Sequence, residues 1–454
     1  MIVDTAAPLE AQPVHWTPLT RFLFRFAFLF FFCFLFAFGN GSLLELFPVV
    51  GNWISTGIEW PFQHLSVWLA AHLFHVQGIG AHFHPTGSGD TAVQWILQGV
   101  FLAFALGGAI VWTILSHLRG KRVEYQMLYA WLRFLLRLTC ALFMFSYGTA
   151  KLFPMQMAPP SIAILNEPVG NLSPMTLLWI SIGLNPWYEM ICGAAELMGG
   201  VLLLFRRTAL AGALLSAFVM TNVLLYNLFF DVPVKIFAAN LLLALLFICL
   251  PDIKSLWGFF WKHKPSAPTG IWIPPVQRKA FRITTRTIEI VYVVAILVVM
   301  PGMEGYGYMA SVKNAHKPTD LLGAWHIVAT SNPAGALLTP EKQPITDLYV
   351  DTAVRAFTRG VDGELWRTRL NTDPTAKTVN VRVYVEGGRD YSYTMPDSQH
   401  LQLIATAPKS DPKIKAPAKP FVPVTIMLVR TPVPSHYPLL DRGFHWVNEW
   451  GLER

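Results

Sequence analysis

The sequence predicts a polytopic α-helical membrane protein of about seven transmembrane helices, followed by a C-terminal antiparallel all-β extracytoplasmic domain. Three observations carry this reading. Apolar residues make up 53% of the 454 residues and charged residues only 14%, against about 25% charged in an ordinary soluble domain. Seven runs are long and apolar enough to cross a bilayer, which takes about 20 residues. Beyond residue 302 the pattern changes to short alternating runs separated by turn formers. This composition excludes disorder, collagen and a small disulfide scaffold.

The seven runs are, in order, Phe22 to Phe38, Ala92 to Leu115, Met127 to Tyr147, Pro186 to Phe205, Thr208 to Phe229, Val234 to Leu250 and Ile283 to Pro301. The first follows a polar stretch and lacks a small-residue cleavage site, so it reads as an anchor and not as a removed signal peptide. With the N-terminus inside, the inner segments carry fourteen Lys and Arg residues, and the outer loops between helices carry two, Lys151 and Lys235. That asymmetry sets orientation in membrane proteins. It places everything after Gly302 outside, on the periplasmic face of a bacterial inner membrane. The formal charge of +8 is therefore a topology signal, and nucleic acid is not implied. The expected organisation is a two-helix region with a long outer loop (1–126), a four-helix bundle (127–256), an inner linker with the last helix (257–301), and the β domain (302–454).

Four segments outside the spans have a readable character. Trp53 to Phe74, within the first outer loop, is an aromatic amphipathic stretch expected to lie as a helix at the membrane interface. Pro251 to Arg286, with Pro265, Pro268, Pro274 and Pro275, reads as an extended linker. Gly302 to Gly307 reads as a flexible exit from the bilayer. The C-terminal region gives strands around Leu348–Val350, Ala353–Thr358, Glu364–Leu370, Val379–Val385, Tyr391–Thr394, His400–Ala405 and Val424–Val429. Val361-Asp362-Gly363 and Glu386-Gly387-Gly388 supply turns. Such spacing suggests an antiparallel meander, sandwich or small barrel. Leu348, Val350, Val379, Val381, Leu401, Leu403 and Ile426 recur at spacing two and are expected to face its core.

Ionisable residues inside spans mark either function or a buried pair. Arg133 and Arg137 sit four apart, on one face of the third helix. Counting residues from the helix ends matches Arg137 in depth with Glu196 on the fourth helix, and Lys151 with Glu189. Together with Asn222, these six form a candidate polar pocket that binds a quinone head group or relays protons. The competing reading is a structural salt bridge that locks two helices. Asn227 and Asn240 could extend either version, and Asp231 and Lys235 close an outer turn. His72, His75, His82 and His84 in the first outer loop are weak metal or haem candidates at His-x2-His and His-x-His spacing. Cys33, Cys140, Cys192 and Cys249 each lie in an apolar run and read as small packing residues. The stretch Arg442 to Glu449 is a polar and aromatic cluster that could cap the β domain or dock it on the membrane helices. No nucleotide-binding or hydrolase motif is present.

The stretch from about Tyr129 to Leu256 resembles the DoxX/DoxD-like family of small membrane proteins. The matching residues are Arg133 and Arg137, then Tyr147-Gly148-Thr149-Ala150-Lys151-Leu152. Glu196-Leu197-Met198-Gly199-Gly200 follows, then Leu202-Leu203-Leu204, Arg206, Arg207 and Met220. The match covers under a third of the chain, in four of the seven spans. It implies a four-helix membrane bundle and, from the family's name-giving members, a quinone-linked oxidoreductase subunit acting in terminal oxidation or thiosulfate oxidation. The chain departs from the short family form by two helices and a loop before the bundle, and one helix and a β domain after it. The expected role is a quinone-associated redox component or accessory subunit of a larger complex, with membrane lipids and other membrane or periplasmic subunits as partners. The alternative is a non-enzymatic, membrane-anchored binding or assembly protein whose β domain holds a partner or lipid.

Overall fold

The structure is a computed structural model, and it describes residues 16–38, 50–83, 88–120, 124–265, 279–383, 388–406 and 422–441. His84 and the Arg442 to Glu449 cluster lie outside these residues. The chain divides into two compact units. One comprises Met1–Thr149 with Cys192–Met300, and the other Ala150–Ile191 with Pro301–Arg454.

Seven helices are long and apolar enough to cross a membrane. They form around α1 (Pro18–Phe36), α3 (Ala92–Leu118), α4 (Gln126–Leu152), α7 (Pro186–Leu204), α8 (Ala209–Phe229), α9 (Lys235–Cys249) and a last helix of three parts. That helix runs as α11 (Lys279–Val294), a π segment (Ala295–Val299) and α12 (Met300–Ala315). Local chemistry fixes several helix starts. Thr17 caps α1 by accepting from the Thr20 N–H, with Pro18 in the first turn. Thr91 and Gln94 form a reciprocal capping box on α3. The Asp90 carboxylate accepts from the first amides of α9, Lys235 and Ile236, at 2.6 and 3.0 Å.

The helices of the first unit pack around Phe31, Phe34, Leu136, Met144, Leu203, Ala213, Leu241 and Tyr292. Close approach depends on small residues, as expected where lipid supplies no hydrophobic drive between helices. A Cβ on Gly148 would sit 2.5 Å from the Leu197 amide nitrogen, and one on Gly200 would sit 2.9 Å from that of Phe145. Gly199 abuts Ser216, and Gly212 abuts Leu202 and Leu203. Helix α2 (Val50–His72) occupies the stretch read as interfacial. It covers a small cluster of Cys33, Leu97 and Phe101 through Ile58 and Phe62. Cys33, Cys140 and Cys249 are buried, and no disulfide joins any of the four cysteines.

Two expectations are corrected. Residues 302–307 are helical, inside α12, so the glycines there do not form a flexible exit. An unbroken backbone ladder needs no side chains, and Gly costs a helix only about 1 kcal/mol against Ala. The linker from Pro251 is likewise not extended throughout. It contains α10 (Ile253–Lys262), and α11 already begins at Lys279. Residues 266–278, with three of its prolines, lie outside the described residues.

The second unit is built on a closed antiparallel barrel with neighbouring strands joined in sequence order. Its strands are β1 (Gly323–Thr330), β2 (Ile345–Val350), β3 (Arg355–Gly360), β4 (Leu365–Asp373), β5 (Thr378–Val383), β6 (Arg389–Thr394), β7 (His400–Ala405) and β8 (Thr425–Thr431). Seven match the runs read from sequence. All seven expected core residues are buried in its core, with Trp325, Tyr391, Tyr393 and Leu428. The strand missed was β1, which closes the barrel against β8. It buries two consecutive residues, Ala324 and Trp325, and its register shifts between Ile327 and Ala329. A bulge of this kind erases the period of two that betrays a strand.

The connection between α4 and α7 belongs to the barrel unit. It holds α5 (Ile162–Leu165) and α6 (Pro174–Gly183), each started by a serine that caps its first turn. The Ile162 amide donates to Asp351 Oδ1 at 2.7 Å, and Arg355 donates to the Pro159 carbonyl at 2.8 Å. Arg359 pairs with the buried Glu167 at 2.5 Å. What reads as a plain outer loop is therefore docked on β2 and β3.

Candidate functional site

Arg133 and Arg137 share one face of α4, as their spacing requires, and both are buried. Each ties down the C-terminal end of another helix. Arg133 donates to the Ile248 carbonyl in the last turn of α9 at 2.8 Å, with Asp252 at 3.8 Å. Arg137 donates to the carbonyls of Leu203 and Leu204, the last two residues of α7, at 3.2 and 3.0 Å. Helix C-termini carry unsatisfied carbonyls and partial negative charge, so a guanidinium there is doubly favoured. The carboxylate facing Arg137 belongs to Glu289 on α11, at 3.3 Å. Glu289 also holds Arg206 at 3.2 Å, and nearby Tyr292 donates to the Leu138 carbonyl at 2.6 Å.

The expected pairing of Arg137 with Glu196 is thus overturned. The glycine contacts show α4 and α7 running antiparallel, with Gly148 against Leu197 and Gly200 against Phe145. Glu196 therefore lies level with Gly148, eleven residues or about 16 Å along α4 from Arg137. Side chains on a helix also lean toward its N-terminus, which carries these two further apart. Glu196 lies instead within electrostatic reach of Tyr147.

Lys151 and Glu189, both buried, do lie within electrostatic reach of one another. Glu189 Oε1 also accepts from the amides of Gln156 and Met157, at 3.1 and 3.0 Å. This carboxylate fastens the turn that follows α4. Asn222 is exposed on α8 and does not join the others. Asn240 exchanges two amide hydrogen bonds with Gln98 of α3, at 3.0 and 3.1 Å. Asn227 donates to the Val234 carbonyl, and Lys235 pairs with Asp231 at 2.7 Å.

Sequence reasoning missed Glu289, although it is the lone carboxylate inside the apolar run from Ile283 to Pro301. It also missed Arg25, buried in the N-terminal half of α1. Arg25 donates to the Tyr125 and Thr113 hydroxyls and stacks on the Tyr125 ring, with its guanidinium carbon 5.2 Å from the ring centroid.

No group of three or more His, Cys, Asp or Glu residues that could hold a metal occurs among the described residues. His72 and His75 are exposed. His72 and His64 do line a groove of about 700 Å3 on α2, with Gln63, Leu65, Val67, Trp68, Ala71 and Phe83.

On the barrel unit, burial pushes the Asp351 carboxyl above the usual carboxylate range, against the opposing pull of the Ile162 amide and Arg355. Burial works against the charge on Arg359, but Tyr349 and Glu167 beside it outweigh burial and raise its pKa.

No family model matches the chain, and no solved structure does. A curated Bacillus subtilis (strain 168) protein, named "Uncharacterized protein YwoB", is 31% identical over 124 residues. That alignment takes in 27% of this chain and 79% of the relative. Over that stretch the chain belongs to the same family as the Bacillus subtilis protein.

Proposed function

We propose that the chain is a non-catalytic, membrane-anchored binding or assembly subunit of a larger membrane complex, with the outer surface of its barrel as the working face. The observation that carries this reading is an exposed apolar patch across three neighbouring strands, formed by Val328 of β1, Met427 of β8 and Ile404 of β7. Met427 pairs with Ala329 on one side and Gln402 on the other, so the three side chains are neighbours or diagonal neighbours. Contiguous apolar surface on a water-exposed domain marks an interaction site. The barrel interior supports the same reading, because Trp325, Tyr391, Tyr393 and the aliphatic core fill it. Eight strands enclose a space just wide enough for such filling. In the bundle, Arg133 and Arg137 are engaged in joining helix ends.

A photo-crosslinking residue at Met427 in cells tests the proposal. A discrete adduct with another polypeptide is expected, and a pattern no different from one at the turn residue Glu364 overturns it.

A second reading is favoured by the Lys151–Glu189 pair. It keeps the DoxX/DoxD-like resemblance, a four-helix bundle of α4, α7, α8 and α9, and a quinone-linked role. Stoichiometric quinone in the purified protein, lost on Lys151→Met, would support it. The basic asymmetry of the loops supports a bacterial inner membrane, with the N-terminus cytoplasmic and the barrel periplasmic.

A further inference from the structure

The α2 groove carries chemistry that the proposed function does not use. His64 and His72 are each hydrogen-bonded through Nδ1 to the carbonyl four residues earlier, Trp60 at 2.8 Å and Trp68 at 2.9 Å. Each ring also lies against the indole of that residue, with centroids 4.3 and 5.0 Å apart. A carbonyl oxygen only accepts, so Nδ1 must carry the proton in both rings. In the neutral ring, Nε2 is then left as a bare acceptor. No described residue donates to either Nε2. Gln63, on the same groove, spends an N–H on Glu59 at 3.0 Å, which leaves its carbonyl oxygen as a third acceptor.

The groove therefore offers three acceptors along its polar edge. The two imidazoles are eight residues apart, or about 12 Å along the helix axis, with the exposed indole of Trp68 between them. Leu65, Val67, Ala71 and Phe83 give it an apolar wall. No lysine or arginine is among the lining residues. The ionisable groups on or beside the elements packed against α2 are few. Glu59 is on α2 itself, His75 and His82 flank the short turn after it, and Asp90, just before α3, is paired with Lys235. Arg21, Arg25 and His117 lie at the far ends of α1 and α3. A phosphate or carboxylate finds no lysine or arginine in the lining, and the three acceptors call for a ligand that donates. A ligand with several hydroxyl donors and an apolar tail satisfies both edges. The volume is within the range of small-molecule sites, and the helix belongs to a membrane-crossing unit where lipid is the adjacent medium.

We propose that this groove binds the neutral, polyhydroxylated headgroup of a glycolipid, with hydroxyls donating to His64 Nε2, His72 Nε2 and the Gln63 carbonyl and the sugar ring lying over Trp68. The test uses the full chain in nanodiscs of equal parts monogalactosyl diacylglycerol, phosphatidylcholine and phosphatidylglycerol. Lipids still bound on release into detergent are counted by native mass spectrometry. The galactolipid is expected to be enriched over both phospholipids. The double variant His64→Phe with His72→Phe keeps ring volume but removes both acceptors, and should cut that enrichment by about tenfold, as two lost hydrogen bonds of ordinary strength would. If that variant does not fold, Gln63→Met, which removes one acceptor, should still lower the enrichment by a few-fold. Equal retention of the three lipids, preference for phosphatidylglycerol, or enrichment indifferent to these substitutions overturns the proposal.

Discussion

Glu289→Leu isolates the contact on which the bundle's charge logic rests. Arg137 is fully buried and holds three acceptors, the carbonyls of Leu203 and Leu204 and the Glu289 carboxylate. Removing one partner of a buried ion pair costs about 3–5 kcal/mol, because the other charge is left uncompensated. Two carbonyls stay on Arg137, and Glu289 is partly exposed, so the lower end applies, about 3 kcal/mol. Arg137→Leu alone should cost a similar amount, since it strands the α7 carbonyls. The double variant should cost clearly less than the sum, with a coupling of at least ~1.5 kcal/mol. Glu196→Gln combined with Arg137→Leu should be additive to within about 0.5 kcal/mol, as for residues without shared partners. Denaturant unfolding of the full chain in mixed micelles reads these variants together with Glu196→Gln alone. Additive losses for Arg137 and Glu289, or strong coupling between Arg137 and Glu196, would refute the assignment.

Three further outcomes follow from other parts of the structure. Gly148→Ala should destabilise by about 1–3 kcal/mol through overpacking against the Leu197 backbone. Gly307→Ala, with open space around its Cβ position, should stabilise by up to about 1 kcal/mol in helix α12, and thermal melts compare the two directly. Because burial raises the Asp351 pKa, its contribution is present below the ordinary carboxylate value and is lost as pH rises through the folded value. Asp351→Asn should therefore flatten the fall in stability as pH rises above the ordinary carboxylate value of about 3.9, and an unchanged profile would show that the carboxyl is not desolvated. A reporter fused after residue 441 should be active only outside the cytoplasm, and cytoplasmic activity would reverse the orientation read from the basic loops.

Much of the architecture was legible because it rests on coarse, repeated signals. Runs of apolar residues marked the spans to within a few positions, and spacing-two patterns found seven strands and their core. The docking of α5 and its flanks on the barrel was not legible, because Ile162–Asp351 and Glu167–Arg359 join residues far apart in sequence. The candidate site fared worse. Matching depths by residue count put Glu196 beside Arg137 because it ignored where two antiparallel helices actually cross, a position set by Gly148 and Gly200. Glu289 is legible as a lone acid in an apolar run, but its partner Arg137 lies 152 residues away on a non-consecutive helix. The family-like residues divide physically. Gly148, Gly199 and Gly200 allow close helix contact, Arg133 and Arg137 cap neighbouring helices, and Glu189 holds the amides of the turn after α4.

The proposal of a binding subunit meets its most direct test in the mass and composition of the particle released from native membranes by a mild detergent. Native mass spectrometry of that particle should show this chain with a second polypeptide in fixed ratio, and Met427→Glu should release the partner while leaving the chain folded. A particle containing this chain alone, with quinone bound in fixed ratio, would contradict the proposal and establish the quinone-linked reading in its place.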